Sequence, residues 1–356
     1  MPAPSTRLQS LINTALIPGA VDQVINYSPA TLRLLGNAME WPVGSRLERP
    51  VKVSSTNLGG AFTGLQEFST SDVATSVKLT YDLGAYEHPV VVPGLEKLLN
   101  DGSEAQRTSL VTYKIEEAKA EVASGIATLL VNGNSDADFV SIRDIADDGG
   151  QTASIGGQSR TTYSSLQGTD TASGGTVSLT KIRTLINAIS PGAIAGGYPT
   201  FALSDQTVFG HVESLLSPII QAQYGASGYP QLTLKSRAPV KGAELLGASG
   251  FNAIVYAGIP FVADETVTAQ ALYMLNEDWL QWYGKFDPDL QKVDLGSDKG
   301  VQTVYHQAPS KFHGFNWQDL MRAINQYGEV GHLFLFGQLA SWQPRRQGVL
   351  TGVTGV

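Results

Sequence analysis

Histidine and cysteine, the residue types that most often carry catalysis and metal binding, are sparse in this chain. There is no cysteine, which excludes disulfides, thiolate metal sites and cysteine nucleophiles. His306 and His313 have no carboxylate at the spacing of a metal site, so a surface or interface role is favoured for them. The histidines are scattered along the chain as His88, His211, His306, His313 and His332.

Carboxylates are frequent, but their spacing matches no known type of site. Calcium loops place aspartates in the order DxDxDG, and the acidic stretch from 136 to 148 lacks that order, so a solvated loop is favoured there. Pairs such as Asp287 with Asp289, or Asp264 with Glu265, are of the kind that glycosidases use, yet 32 acidic residues produce such pairs by chance. The acidic stretch contains Asp136, Asp138, Asp144, Asp147 and Asp148.

Aromatic residues are concentrated after residue 272, where they could form either a sugar-binding platform or a packed surface. Because the group directly follows a predicted strand, core packing or subunit contact is favoured. Arg345 and Arg346 lie together in a predicted turn and are read as a solvated or interfacial pair rather than a phosphate site. The aromatic group comprises Tyr273, Trp279, Trp282, Tyr283 and Phe286.

Known catalytic and nucleotide-binding motifs are absent from the sequence. It has no GxxxxGK[ST] loop, no strand leading into GxGxxG, no GxSxG and no HExxH. We therefore predict that the protein is not an enzyme, that it has no catalytic, cofactor-binding or metal-binding residues, and that it needs no cofactor. A carbohydrate-binding or carbohydrate-active protein built on the aromatic group stays open as an alternative.

The composition excludes several classes of protein. The 356 residues are 42% hydrophobic but only 16% charged, well below the roughly 25% charged residues of ordinary soluble domains. The net charge of −8 argues against a protein whose main role is to bind nucleic acid. No apolar run approaches the ~18 residues of a membrane span, and the first residues do not resemble a signal peptide. The low fraction of charged residues predicts that much of the surface is covered, most simply by other copies of the chain.

The first 82 residues are predicted to form an arm and a hairpin. Pro18, Pro29, Pro42 and Pro50 exclude a long helix in the first fifty residues, although Ser5 can begin a short one. Residues 50–56 and 73–82 are typical of strands, and the Gly-, Ser- and Thr-rich segment between them predicts a flexible tip. A lone hairpin is marginally stable in water, so we expect it to rest on another molecule or on a distant part of the chain.

A long helix follows the hairpin. Ser103 and Gln106 form a possible capping box before it, and Asn132-Gly133 ends it. About 28 residues at 1.5 Å each give a rod of roughly 40 Å, which predicts a spine for the other layers. One apolar stripe runs along it through Val111, Ile115, Ala118, Val122, Ile126 and Leu129.

The remaining chain alternates strands and helices without regular βαβ units, which indicates an α+β fold. Short strands are predicted around Val140–Ile145. A helix is predicted at Leu179–Ile189 after Ser178, followed by a strand at Thr200–Leu203 and a helix at Gln206–Leu216. Strand-rich stretches are predicted over residues 224–237, 251–267 and 271–284, and a last strand precedes the turn with the paired arginines.

The order of these segments resembles the major capsid proteins of tailed bacteriophages, which have the Hong Kong 97-type fold. The run YDLGAYEHPVVVPGLEKLLNDGSEAQRTSLVTYKIEEAKAEVASGIATLLVNG resembles the passage from that family's hairpin into its spine helix. GFNAIVYAGIPFVADETVTAQALYMLNEDWLQW and GQLASWQPRRQGVLTGV resemble its return strands and its final strand and tail. The similarity covers most of residues 50–356.

The resemblance implies a division of the chain. Residues 1–50 would be the N-terminal arm and 51–82 the extended β-hairpin loop. Residues 83–138 would be the peripheral domain with the spine helix, and 139–255 the axial domain. Residues 256–356 would be the return strands of the peripheral domain and the C-terminal tail.

The resemblance also implies a function and partners. The chain would assemble with itself into pentamers and hexamers of an icosahedral or prolate shell around double-stranded DNA, after synthesis in the host cytoplasm. Portal protein and scaffolding or decoration proteins would be partners. The inner face would contact DNA non-specifically, and no membrane would be involved. Some family members are crosslinked through a loop lysine, but residues 57–72 contain none, so no self-crosslinking is expected. An encapsulin-like compartment is the closest alternative.

Overall fold

The computed structural model describes residues 28–55, 61, 63–65, 74–99, 104–133, 139–171, 174–190, 197–224, 253–287, 291–292, 314–322 and 327–355. Within these ranges the α-helices are α1 Pro29–Gly36, α2 Gly94–Leu99, α3 Glu104–Asn132, α4 Ile142–Ala146, α5 Leu179–Ile189 and α6 Gln206–Tyr224. The strands are β1 Met39–Glu40, β2 Arg46–Lys52, β3 Ser76–Asp82, β4 Gly84–Pro93, β5 Ser154–Ile155, β6 Gln158–Ser159, β7 Thr169–Thr171, β8 Gly175–Thr176, β9 Phe201–Ser204, β10 Ala253–Tyr256, β11 Ile259–Ala263, β12 Leu272–Leu275, β13 Leu280–Gly284, β14 Gln291–Lys292, β15 Phe315–Arg322, β16 Gly328–Ser341, β17 Gly348–Leu350 and β18 Val353–Gly355.

The first sheet is built around the long strand β16. One edge of β16 pairs with β4, from Gly328 opposite Pro93 to Gly337 opposite Gly84. Its other partners are β15 and β13, both antiparallel, and β1 and β14 extend the sheet beyond them. The spine helix α3 packs against β4 through its buried stripe, in which Ala118, Val122 and Ile126 are buried. The larger hydrophobic core contains residues of this sheet and of α3, together with Phe201 and Leu203 of β9 and Tyr273 of β12.

The second sheet has the order β10-β11-β9-β12-β17-β7 and a separate hydrophobic core. Its central strands β9 and β12 are buried along their whole length, as their continuous apolar runs predict. Helices α5 and α6 cover it, burying Ile182, Ile186 and Val212 against Phe261 and Met274. Short two-stranded sheets, including the β2–β3 hairpin, complete the described part of the chain.

Most of the predicted elements are confirmed. The spine helix ends at Asn132 and α5 occupies Leu179–Ile189 with Ser178 as its N-cap, both as predicted. Helix α6 starts at Gln206 as predicted but continues to Tyr224, beyond the expected end at Leu216. Three predicted features lie outside the described residues: Ser103 of the capping box, residues 225–237 of the strand-rich stretch 224–237, and the helix after Ser5.

The prediction of short strands around Val140–Ile145 is wrong, because Ile142–Ala146 is the helix α4. Ser141 caps it: its hydroxyl accepts the N–H of Asp144 at 3.1 Å, and the Asp144 carboxylate accepts the N–H of Ser141 at 3.1 Å. This reciprocal capping box favours a helix over the β-branched preference of the segment. The signal was present in the sequence as Ser141 followed three residues later by an acid.

The second half of the predicted arm belongs to the body of the protein. Helix α1 starts with Pro29 at its first position, after the N-cap Ser28, and buries Ala30, Leu34 and Leu35 in the larger core. The prolines that exclude a long helix are compatible with this short one, since proline is favoured at a helix start. The N-terminal arm of residues 1–50 stays a prediction, and its residues 1–27 lie outside the described residues.

Strand pairing also crosses the predicted boundary at residue 255. Strand β9, from the predicted axial range, pairs with β11 and β12, and β7 pairs with β17. The C-terminal hundred residues thus supply strands to both sheets, because the chain passes from β11 and β12 to the first sheet and returns at β17. The division into peripheral and axial domains stays a prediction.

Candidate assembly surfaces

The predicted hairpin is confirmed as an antiparallel pair of β2 and β3. It begins at Arg46 opposite Asp82, four residues earlier than expected, and runs to Lys52 opposite Ser76. Its exposed side carries two ion pairs, Arg46 with Asp82 at 2.6 Å and Lys78 with Glu48 at 2.7 Å. Such exposed pairs contribute little to stability, so the hairpin is held by its apolar side, where Leu47 is buried and Val51 packs against the larger core.

The root of the hairpin is firmly attached to the rest of the chain. Leu79 and Tyr81 are buried, and the Tyr81 hydroxyl donates to the Ser341 carbonyl at 2.7 Å. The N–H of Thr80 donates to the Gly156 carbonyl at 2.9 Å, in the turn between β5 and β6. Burial raises the pKa of Tyr81, so its hydroxyl remains a donor. The structure thus fixes the direction in which the hairpin leaves the body.

Helix α1 is held by a buried ion pair that the sequence analysis missed. Arg33 donates through Nε and Nη2 to the two carboxylate oxygens of Glu277, and its guanidinium lies 4.8 Å from the ring centre of Phe201. The hydroxyl of Ser28 donates to Asp264 at 2.5 Å and also accepts the N–H of Thr31. Ser28-Pro29, an N-cap followed by proline, was the sequence signal for this helix. These contacts fix the start of α1 beside Asp264.

The predicted solvated acidic loop is wrong for Asp144 and Asp147, which are buried around Arg160. One carboxylate oxygen of Asp147 accepts the backbone N–H groups of Gly149, Gln151 and Thr152 at 2.8–3.0 Å. Arg160, fully buried, donates to the carbonyls of Asp147 and Asp144 at 2.8 and 2.5 Å. Burial lowers the pKa of Arg160, and Asp147 opposes that effect. Asp148 is exposed as predicted, whereas Asp136 and Asp138 lie outside the described residues.

Three carboxylates come together beside this buried network. One oxygen each of Asp147, Asp148 and Asp170 lie within 4.8 Å of one another. A cavity of about 190 Å³ adjoins Asp147 and Asp170 and is also lined by Arg143 and Tyr273. Burial and the neighbouring Asp148 raise the pKa of Asp170. The Asp147 carboxylate in this cluster already accepts from Arg160 and from three backbone N–H groups of its own loop.

Two of the three described histidines link a strand of the first sheet to a neighbouring element. His88 lies 3.1 Å from Glu121 and links β4 to the spine helix, whereas His332 lies 2.7 Å from Glu87 and links β16 to β4. His211 is half-buried on α6. His306 and His313 lie outside the described residues, so their predicted surface or interface role stays a prediction.

Two residues of the aromatic group, Trp282 and Tyr273, pack in the core as predicted. Trp282 and Tyr273 are fully buried, and Trp282 stacks on Phe139 with ring centres 6.0 Å apart. Trp279, Tyr283 and Phe286 are half-buried. Because Trp282 and Tyr273 are buried, neither residue can form part of a sugar-binding platform.

Of the other candidate residues, Asp264 and Arg346 are held by hydrogen bonds within the chain. Asp264 is buried and accepts from Ser28 and Thr266, Glu265 beside it is exposed, and Asp289 lies outside the described residues. Arg346 donates to the Gly197 carbonyl at 3.3 Å, and Arg345 is exposed. None of the helices that the structure describes is long and apolar enough to cross a membrane.

Comparison with known proteins identifies the fold. Neither protein-family models nor curated proteins gave a match. Among solved structures, a chain of the cyanophage A-1(L) capsid asymmetric unit is similar over 98% of this chain and 99% of that chain, with 15% identity and a TM-score of 0.69. This chain has a phage capsid fold.

Two further solved structures agree with it. A chain from the capsid of an empty GTA particle covers 96% of this chain and 94% of its own length, at 12% identity and a TM-score of 0.52. A chain from Mycobacterium phage Bobi covers 99% and 98%, at 11% identity and a TM-score of 0.51. The α+β capsid fold predicted from the sequence is therefore confirmed.

Proposed function

We propose that this protein is the major capsid protein of a tailed phage and that its copies form the closed head shell around double-stranded DNA. The observation that carries the proposal is the similarity to the cyanophage A-1(L) capsid chain along nearly the whole length of both chains. A shell subunit acts by binding copies of itself, so no catalytic group is required. The protein would be made in the host cytoplasm and would function in the virion.

The chain's own features support this proposal. A two-stranded hairpin has little stability of its own, so contact with a neighbouring molecule would stabilise this one further. The low charge, 16% of residues, suits a subunit whose edges are buried by many neighbours. Repetition of modest contacts over a closed shell gives a stable particle. Portal, scaffolding and decoration proteins would be further partners, with weak, sequence-independent contact to DNA on the inner face.

Assembly of the purified chain tests this function. We expect negative-stain electron microscopy to show closed shells or capsomer rings, and size-exclusion chromatography to show the matching large species. Double-stranded DNA inside shells produced during infection distinguishes a phage head from an encapsulin-like compartment, which would enclose proteins. A species that stays monomeric at high concentration, in added salt and with crowding agents contradicts the proposal.

Removal of the hairpin tip is predicted to separate folding from assembly. Deleting residues 59–71 should leave thermal unfolding of the subunit almost unchanged, because the root contacts of Leu79 and Tyr81 lie outside the deletion. Shell yield should fall at least about tenfold, because losing roughly 1.4 kcal/mol from each contact between subunits weakens that contact tenfold.

The matched control replaces residues 59–71 by the same number of glycine and serine residues. This variant keeps the length of the loop but removes its side chains. Normal shells from the deletion variant would show that the tip is not needed for assembly. Normal shells from the Gly/Ser variant alone would show that the tip acts through its length.

A further inference from the structure

Three carboxylates lie together where helix α4 meets the second sheet. Asp147, Asp148 and Asp170, which we call the carboxylate triad, place one oxygen each within 4.8 Å of one another. Asp147 and Asp148 directly follow α4, whose Ile145 belongs to the larger core. Asp170 lies on β7, the edge strand of the second sheet. The triad therefore brings like charges together across the contact between two separate elements of the fold.

The backbone keeps Asp170 close to the end of α4. Gly168, two residues before it, donates its N–H to the Asp147 carbonyl at 2.9 Å. A Cβ at Gly168 would lie 2.2 Å from the Ala146 carbonyl oxygen, so β7 begins in direct contact with α4. On its other side β7 pairs with β17, where Asp170 is opposite Val349. These backbone contacts oppose the mutual repulsion of the ionised carboxylates.

Among the three carboxylates, Asp170 has the weakest compensation for its charge. One oxygen of Asp147 accepts from Arg160 and from three backbone N–H groups. Asp148 is exposed to solvent and accepts a backbone N–H at 2.9 Å. Asp170 is half-buried, and the hydrogen bond that it receives from the Thr351 hydroxyl is long, at 3.4 Å. Asp170 is therefore the member of the triad that gains most from taking up a proton.

The other ionisable groups beside Asp170 line the adjoining cavity of about 190 Å³. They are Arg143 on α4, which is half-buried and supplies a positive charge, and Tyr273 on β12, which is buried. Burial and the charge of Asp148 raise the pKa of Asp170, whereas the Thr351 hydroxyl lowers it. The balance favours the protonated form in the folded chain.

We propose that Asp170 is a pH-sensitive link between the second sheet and helix α4. When it carries a proton, it holds β7 against α4; when it is ionised, Asp147 and Asp148 repel it and the contact weakens. This proposal goes beyond the shell function and does not depend on it, because it concerns the fold of a single subunit.

The direction of the pH effect follows from proton binding. Between the ordinary pKa of an aspartate and the raised pKa of Asp170, the folded chain binds more protons than the unfolded chain. The free energy of unfolding that Asp170 contributes therefore falls as the pH rises through this interval. Its contribution is complete below the ordinary aspartate pKa and is lost above the raised one.

Asp170→Asn tests the proposal, since asparagine keeps the shape of the side chain without its charge. Urea unfolding of the full-length, unassembled subunit is followed from about pH 4 to about pH 8, with EDTA present so that protons alone neutralise the triad. At the neutral end, the unfolding equilibrium constant of Asp170→Asn should be at least about threefold smaller than that of the unsubstituted chain. At the acid end the difference should disappear, because both side chains are then neutral.

The matched control is Asp278→Asn, which removes the charge of an exposed aspartate outside the triad. Its difference in stability from the unsubstituted chain should be the same at every pH. A difference for Asp170→Asn that is absent, or that does not change with pH, would overturn the proposal.

Hydrogen exchange at the start of β7 gives a local readout. The N–H groups of Gly168 and Thr169 donate to the carbonyls of Asp147 and Gln347. Their protection factors, corrected for the intrinsic effect of pH, should fall at least about threefold from acid to neutral pH in the unsubstituted chain. They should stay constant in Asp170→Asn. The same pH profile in both chains would contradict the assignment of the link to Asp170.

A double-mutant cycle tests the repulsion within the triad. Asp148→Asn should stabilise the unsubstituted chain at neutral pH, and it should do so less in the Asp170→Asn background, because the repulsion needs both charges. Additive effects at neutral pH would show that Asp148 does not act on Asp170 and would refute the repulsion that the proposal invokes.

Discussion

Replacing Arg160 by methionine will destabilise the subunit by about 3–5 kcal/mol, the usual cost of removing one partner of a buried ion pair. Arg160 is fully buried and contacts Asp147 through both its carbonyl and its carboxylate. Without the guanidinium, the Asp147 carboxylate is left as an uncompensated buried charge, and the carbonyls of Asp144 and Asp147 lose their donor. Native domains are stable by only about 5–15 kcal/mol, so the loss is a large share of the total.

Urea unfolding of the unassembled subunit, followed by tryptophan fluorescence, measures this effect. Arg46→Met is the matched control, because it breaks an ion pair whose side chains are 58% and 70% exposed; its cost should be within about 1 kcal/mol. Arg160→Lys keeps the positive charge but loses the planar set of guanidinium N–H donors, so we expect a loss of stability between those of Arg160→Met and Arg46→Met. Equal stability of the Arg160 and Arg46 variants would contradict the role assigned to the buried network.

The case of Arg160 shows why part of this structure was beyond prediction from the sequence. Helix α3 and its end at Asn132 followed from apolar spacing and from Asn132-Gly133, which are local signals. The hydrogen bonds around Arg160 depend on tertiary contacts that bring its side chain to the carbonyls of Asp144 and Asp147. Nothing in the sequence indicates that Asp147 is buried rather than solvated. Composition favoured a solvated loop, and burial of the ion pair overrode that preference.

The candidate surfaces divide in the same way. The hairpin was predictable because β3 alternates with a period of two, and its strands pair as expected. The attachment of helix α1 through Arg33 and Glu277 was not, because these two residues are 244 positions apart and only the tertiary fold brings them together.

Substitution of Gly337 by alanine is the second change expected to have a large effect. Gly337 pairs with Gly84 on one side and with Gly284 on the other, so three glycines form a row across β4, β16 and β13. A Cβ at Gly337 would lie 2.3 Å from Cζ2 of the fully buried Trp282 and 2.7 Å from the Tyr283 carbonyl oxygen. Overpacking of this kind costs about 1–3 kcal/mol, occasionally more.

The cause of that loss can be isolated with a double-mutant cycle. Trp282→Phe removes the six-membered indole ring that carries Cζ2, so Gly337→Ala should cost less in a Trp282→Phe background than in the unsubstituted chain, by about 1 kcal/mol. Gly355→Ala, on β18, is the matched control because its Cβ would meet no atom within 4 Å. Equal costs of Gly337→Ala in both backgrounds would show that the tryptophan is not the obstacle. A smaller cost of Gly337→Ala in the Trp282→Phe background would show that the absence of a side chain at Gly337 makes room for the Trp282 ring. Trp282 fills the core between the spine helix and the first sheet, and this core supports the root of the hairpin.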